Sequence, residues 1–354
     1  MLQRSNQAPV DLHFSRTNGP VDEAIDQLMT QVGGIAHPDV VREIILAGLK
    51  AGQENTDRMD LKLMNASMKE MRFTAKVFGP YRSVRKVTVF GSARIVPDAP
   101  LYAMAQDLGR KLARAGFMVI TGGGPGIMQA VNEGAGPEHS FGVNIRLPFE
   151  QQPNPVLIGN PRYITYKYFF NRKVAFLKEA DAVVLFPGGF GTLDEAMETI
   201  TLLQTGKRYP LPLILIDEPQ GTYWEQLCAF LMEELPRYRY VSLSDFRLIE
   251  RVTRAEDVVA SIRSFYGRYH SLRYVGDKLV IRLSTPLNQE QVDRLKNDFG
   301  DILTPGGDMC IACAMDDENN EPELTHLPRL VVDFNKRDFG QLRQFVNTIN
   351  AFPG

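Results

Sequence analysis

Between residue 85 and about residue 265, short apolar runs alternate with amphipathic stretches. The runs fall at 86–90, 117–121, 141–146, 162–166, 181–186, 212–216 and 245–250. Between them, apolar residues recur at helical spacing over 101–115, 125–134, 169–179, 192–205, 222–234 and 255–267. Such alternation predicts a parallel sheet with helices on both faces, because parallel neighbours need crossover connections that cover the sheet. The expected fold class is α/β, a Rossmann-like doubly wound parallel sheet with an N-terminal helical extension and a small C-terminal α+β domain.

The flanks have different patterns. Residues 1–20 read as a flexible or wrapping arm. Ile25, Leu28, Met29 and Val32 lie on one face of a helix that Gly33-Gly34 ends, and Pro38 opens a second with Val40, Val41, Ile44, Ile45 and Leu49 apolar. A third carries Leu61, Met64, Met68, Met71, Ala75 and Phe78 on one side, with Asn55 or Thr56 as its cap. Its methionine stripe reads as core packing. Without a sheet of their own, these helices are expected to pack on the next domain or on a partner chain. After Tyr269 the pattern predicts a strand at 278–282, a helix at 288–299, strands at 308–315 and 330–334, and a helix at 338–349. That order suggests a ferredoxin-like unit, with Asp316–Glu321 as a solvated loop. The expected boundaries are 1–84, 85–268 and 269–354.

Composition narrows the classes. The chain has 354 residues, enough for two domains and a well-buried core, and its net charge of −2 offers no broad attraction to nucleic acid. No apolar run approaches the length needed to span a bilayer, and the first 20 residues lack a signal-peptide core, so a cytoplasmic location is the expectation. Cys310 and Cys313 form C-x-x-C with no second pair and no nearby His, which argues against zinc. They read as structural cysteines in a buried strand. No metal and no cofactor is expected.

The chemistry is concentrated at strand ends. Pro187-Gly188-Gly189-Phe190-Gly191-Thr192-Leu193-Asp194-Glu195 follows an apolar strand and opens a helix. Glycines there let backbone amides approach an anion, the helix N-terminus adds partial positive charge, and Thr192 adds a hydroxyl. Asp194 and Glu195 then sit in the first turns beside the anion, although acids there also simply complement a helix dipole. A second turn, Gly122-Gly123-Gly124-Pro125-Gly126, follows another strand, and Gly91-Ser92-Ala93-Arg94 follows a third. None has the spacing of a dinucleotide fingerprint or of a P-loop. In an open parallel sheet, all three would line one crevice at the carboxyl ends of the strands. Asn171-Arg172-Lys173 lies between the two glycine turns, where Arg172 can hold a phosphate or an acid by two-pronged contact.

The combination G-G-G-P-G-I-M at 122–128, N-R-K at 171–173 and P-G-G-F-G-T-L-D-E at 187–195 resembles the Lonely Guy (LOG) family, long mislabelled as lysine decarboxylase. The resemblance covers roughly residues 85–265. It implies hydrolysis of the N-glycosidic bond of a nucleoside 5′-monophosphate, AMP or a cytokinin nucleotide, to free base and ribose 5-phosphate. It also implies Glu195 and Arg172 as catalytic residues, and Gly123, Gly124, Gly126, Gly188, Gly189, Gly191 and Thr192 as the phosphate site. Where the family often has Met-His-x-Arg-Lys, this chain has Phe169-Phe170-Asn171-Arg172-Lys173, which leaves base specificity open.

In that chemistry a carboxylate near C1′ stabilises charge on the ribose or orients water, the role expected of Glu195. Arg172 would hold the substrate or fix the carboxylate's direction. Ser92, Met128, Lys173 and Glu198 are candidate substrate contacts, with the base expected against Gly91–Arg94 and the 125–133 helix. The implied partners are a small nucleotide and further copies of the chain, not nucleic acid or membrane. A second reading is a non-catalytic nucleotide or cofactor carrier of the same fold, which would not need an Arg172–Glu195 pair. Pyridoxal-dependent decarboxylation would need a lysine with a supporting constellation that Lys173 lacks in the sequence.

Overall fold

The computed structural model describes residues 13–54, 57–148, 152–315, 318 and 321–353. The chain divides into two compact units, Met1–Glu70 and Met71–Gly354. In the first, α1 (Pro20–Val32) and α2 (Pro38–Glu54) are joined by a buried Asp22–Arg42 ion pair beside Ile25 and Leu46. Pro20 opens α1, where a missing N–H costs nothing, and Gly33 closes it at φ 67°. The helix α3 (Arg58–Phe78) runs across the boundary between the units. Its methionine stripe is not core: Met64 is 47% and Met68 51% exposed. The proposed Asn55/Thr56 cap and residues 1–12 of the expected arm lie outside the described residues.

The second unit holds a seven-stranded parallel sheet. Its strands are β1 (Lys86–Phe90), β2 (Met118–Thr121), β3 (Ser140–Ile145), β4 (Tyr163–Tyr166), β5 (Ala182–Leu185), β6 (Leu213–Ile216) and β7 (Ile249–Val252). They are ordered β4-β3-β2-β1-β5-β6-β7. Alternating side chains feed two cores. Val87, Val89, Val119, Val184 and Ile214 pack under α4 (Pro100–Arg114), α5 (Ile127–Ala135) and α9 (Ala255–Phe265). On the other face, Ile120, Val183, Leu185 and Leu215 pack under α6 (Phe169–Lys178), α7 (Phe190–Gln204) and α8 (Tyr223–Arg237). The doubly wound architecture expected from the alternation is therefore present.

Two local readings shift. The apolar run at 245–250 is split, because a Ser242–Asp245 capping box starts a 3-10 turn over Leu243–Leu248, and β7 begins only at Ile249. A strand the pattern hid, β8 (Tyr269–Val275), precedes β9 (Lys278–Leu283). A bulge between Tyr269 and Ser271 breaks its two-residue period.

With α10 (Gln289–Phe299), β10 (Met309–Ala312), β11 (Arg329–Val332) and α11 (Phe339–Ala351), the C-terminal order is β-β-α-β-β-α. The antiparallel sheet runs β10-β11-β9-β8, which is not the connectivity of a ferredoxin-like unit. Cys310 and Cys313 are exposed, not buried: Cys310 lies on edge strand β10, and Cys313 just past its end. The acidic insert is not simply solvated either. Glu318 is fully buried between Arg282 and Arg329 (Nε–Oε2 3.2 Å), and Glu321 pairs with Arg273 and Arg282. Two arginines on the sheet face away from α10 and α11 need buried counter-charge, and this loop supplies it.

The sheet order decides where a ligand can sit. Strands β1 to β4 step outward in one direction, and the chain then returns to place β5 on the other side of β1. Loops leaving β1 and β5 diverge from this reversal and open a crevice at the carboxyl ends of the strands.

Candidate active site

A cleft of about 810 Å³ occupies that crevice, a volume suited to a small organic ligand. Its walls come from Gly91–Arg94 after β1, Gly122 after β2, Met128 of α5, Asn144, Ile145 and Leu147 at the end of β3, Arg172 of α6, and Gly188–Glu195 after β5. Ser92 ties three loops together. Its N–H donates to Pro187 O (3.1 Å), and its carbonyl accepts from Ile127 N (3.0 Å).

The β5 loop turns directly into α7, with Gly189 as N-cap. At Gly188 a Cβ would lie 2.2 Å from the Thr192 hydroxyl oxygen, so only glycine lets the buried Thr192 fold under the loop. Gly189 and Gly191 face open space. The first amides of a helix lack carbonyl partners within it, so this end of α7 presents donors and partial positive charge to the cleft.

The other glycine turn works differently. Gly122 lines the cleft, and a Cβ there would meet the Arg172 guanidinium at 2.6 Å. Gly123, Gly124 and Gly126, expected at the phosphate, are buried behind that wall. Gly123 N–H donates to Thr121 Oγ1 (3.0 Å), the carbonyls of Gly123 and Gly124 accept from Asn154, and Gly126 presses against Ser92 and Ala93. The missing side chain of Gly126 lets the β1 and β2 loops meet, and that of Gly123 leaves room for Tyr163 and Leu157.

The acid lies one and a half turns into α7. Glu195 is buried, and its Oε2 has no hydrogen-bond partner among the described residues. Burial pushes its carboxyl up to about 7, an effect that Lys173 and Arg172 oppose. Arg172 reaches in from α6. Its Nε donates to Val143 O (2.8 Å), and its guanidinium lies 4.9 Å from the centre of the Phe176 ring. Burial lowers the Arg172 pKa, against the attraction of Glu195.

Lys173 and Glu198 do not line the cleft. Lys173 binds Glu198, lies 2.9 Å from Asp194 Oδ2, and reaches Glu195 Oε1 at 3.7 Å. Burial works against its charge, but Glu198 and Asp194 hold its pKa above the ordinary value. Of the candidate contacts, Ser92 and Met128 stand at the cleft. Among the described residues, no group of three or more His, Cys, Asp or Glu side chains is placed to hold a metal ion.

Sequence reasoning missed the β3 end. Asn144 is buried at the cleft, and its Nδ2 donates to Tyr163 OH (2.5 Å). The signal was available, since Asn144 lies near the carboxyl end of a strand already recognised. The Tyr223 hydroxyl, which donates to Gly188 O (2.6 Å), left no signal, because it arrives from α8.

The profile described as "Possible lysine decarboxylase" matches residues 127–262. A cytokinin riboside 5′-monophosphate phosphoribohydrolase of Oryza sativa subsp. japonica is 31% identical over 192 residues, which cover 52% of this chain and 75% of the relative. A probable enzyme of the same name from the same plant is 28% identical over 234 residues, covering 64% of this chain and 86% of the relative. Among solved structures, the molybdenum cofactor carrier protein of Chlamydomonas reinhardtii aligns with 51% of this chain and 96% of its own. Its 17% identity and TM-score of 0.36 are too low to bear on function. Among the described residues, no helix is long and apolar enough to cross a membrane.

Proposed function

The chain belongs to the Lonely Guy (LOG) family, whose relatives here are named as phosphoribohydrolases, and from that premise we propose a specific reaction for its cleft. The protein hydrolyses the N-glycosidic bond of an adenine-type nucleoside 5′-monophosphate, AMP or a cytokinin riboside 5′-monophosphate, to free base and ribose 5-phosphate. The observation that carries this reading is Glu195, a buried carboxylate with one oxygen unpartnered among the described residues, in the first two turns of a helix that a glycine-rich loop opens. The six steps from Gly189 to Glu195 rise about 9 Å along the axis, and helical side chains lean back toward the N-terminus. A 5′-phosphate on the Gly188–Thr192 loop therefore leaves its ribose near the carboxylate.

In this mechanism the loop amides and Thr192 grip the phosphate, and that remote binding positions the reacting bond. Ionised Glu195 stabilises the positive charge that builds on the ribose as the base departs, or takes a proton from the attacking water. Arg172 holds the substrate and favours the ionised acid. The apolar wall of Met128, Ile145 and Leu147 takes the base. A homo-oligomer accompanies this reading, since Phe169 and Phe190 are exposed at the cleft and Phe170 is exposed beside Phe169. Decarboxylation is disfavoured because Lys173, the lysine nearest the cleft chemistry, is occupied by carboxylates.

The direct test is incubation of the wild-type protein with AMP, CMP, GMP and isopentenyl-AMP, followed by chromatography for free base and ribose 5-phosphate. Release from the adenine nucleotides is expected. Binding of one of them without release would replace this reading by the carrier one.

Lys173 tunes the acid in this scheme. Lys173→Met removes the positive charge nearest Glu195 Oε1, so its carboxyl should titrate higher still. The acid limb of kcat/KM is expected to move up by about one pH unit, with the plateau little changed. Lys173→Arg should keep the limb near its wild-type position, and pH–rate profiles of both variants check this.

A further inference from the structure

The anion loop is held in shape from outside the family's motifs. Three successive carbonyls have assigned donors: Pro187 O accepts from Ser92 N (3.1 Å), Gly188 O from Tyr223 OH (2.6 Å), and Gly189 O from Thr192 N and Leu193 N (3.0 and 3.1 Å). Only the Gly188 carbonyl depends on a side chain. Among the described residues no peptide bond is cis. In a planar trans peptide the C=O and the following N–H point in opposite directions. Gly188 and Gly189 both line the cleft, whereas Tyr223 does not. With its carbonyl held on Tyr223, the Gly188–Gly189 peptide carries its N–H on the side away from Tyr223, a residue that does not line the cleft. A glycine pair resists peptide rotation less than any other, so this orientation needs an outside hold.

Tyr223 is well placed to provide it. Its own N–H donates to Asp217 Oδ2 (3.1 Å) at the end of β6, and its ring meets Trp224 edge-on at 4.8 Å. Trp224 is anchored in turn by Nε1 to Ile216 O (3.1 Å). Gly221 permits the arrangement, because a Cβ there would lie 2.2 Å from the Asp217 carboxylate. The hydroxyl is thus positioned by the strand next to β5, independently of the loop it braces.

We propose that Tyr223 is a positioning residue for the phosphate subsite, holding the Gly188–Gly189 peptide so that the Gly189 amide meets the 5′-phosphate. This rests on reading the cleft as a nucleoside 5′-monophosphate site. Tyr223 does not line the cleft, so it acts on phosphate affinity and reaches bond cleavage only through the grip on the phosphate.

The test is Tyr223→Phe, which keeps the ring and its packing. Calorimetry with ribose 5-phosphate is expected to give a Kd raised about fivefold, the worth of one net hydrogen bond. KM for the nucleotide should rise by a similar factor, with kcat within twofold of wild type. Adenosine, which lacks the phosphate, should bind both proteins equally. Wild-type binding of ribose 5-phosphate with no loss in the variant would overturn the role of Tyr223 and leave the functional reading standing. Equal weakening of adenosine would also overturn it, by showing general loosening. Failure of the wild type itself to bind ribose 5-phosphate would overturn both.

Discussion

Glu195→Gln is expected to lower kcat for nucleotide hydrolysis by about 10³-fold while ribose 5-phosphate binding survives. A neutral amide can neither stabilise the ribose cation nor accept water's proton, and single groups in such roles supply factors of this size. The phosphate amides lie more than a helical turn away and are untouched. Steady-state turnover and calorimetry on one preparation separate the two effects.

The same substitution should stabilise the fold, and the sign follows from its titration. Glu195 titrates near 7 in the folded chain against an ordinary 4.5. Between those values the folded chain holds a proton that the unfolded chain has released, so stability falls as pH rises across the window. The glutamine variant escapes that loss. Its advantage is expected to be mostly absent at pH 5 and on the order of 3 kcal/mol above pH 8. Thermal unfolding at the two pH values measures it. Greater stability with lost turnover marks a carboxylate kept for chemistry at the expense of the fold.

Arg172→Ala is the second large effect, with kcat/KM expected to fall by about 10²-fold. The guanidinium is aimed by Val143 O and by the space that Gly122 leaves, so no neighbour replaces it. Its loss also removes one of the two positive charges opposing the burial of Glu195. Residual activity should therefore show an acid limb above that of wild type. A fall in kcat/KM without that displacement would limit Arg172 to substrate binding. A lysine at this position is not equivalent, because it lacks the planar fork that bonds Val143 O and faces the cleft at once.

Much of this site is local, and local features are legible. The strand, glycine turn and helix start at 182–204 are set by neighbouring residues, so the loop, Thr192 and Glu195 could be read from their order. Lys173 and Glu198 also lie in recognisable patterns, yet the structure sets them against each other and off the lining of the cleft. Whether a lysine faces a ligand or a set of carboxylates depends on how α6 meets α7. The methionine stripe of α3 and the C-x-x-C cysteines failed for a related reason. Periodicity says which residues share a face, not whether anything covers it.

By itself, then, the order of residues determined the α/β alternation, the glycine turns at strand ends and the acid that follows one of them, because each depends on contacts within a few residues. Only the tertiary structure decided that Gly123, Gly124 and Gly126 are buried behind the wall of the crevice. Only it turned Lys173 onto three carboxylates and brought the Tyr223 hydroxyl to the Gly188 carbonyl. Those outcomes depend on the strand order β4-β3-β2-β1-β5-β6-β7, which brings residues as far apart in the chain as Ser92 and Pro187 to hydrogen-bond distance. The energy of such contacts comes from desolvation and packing between elements, which no local pattern encodes.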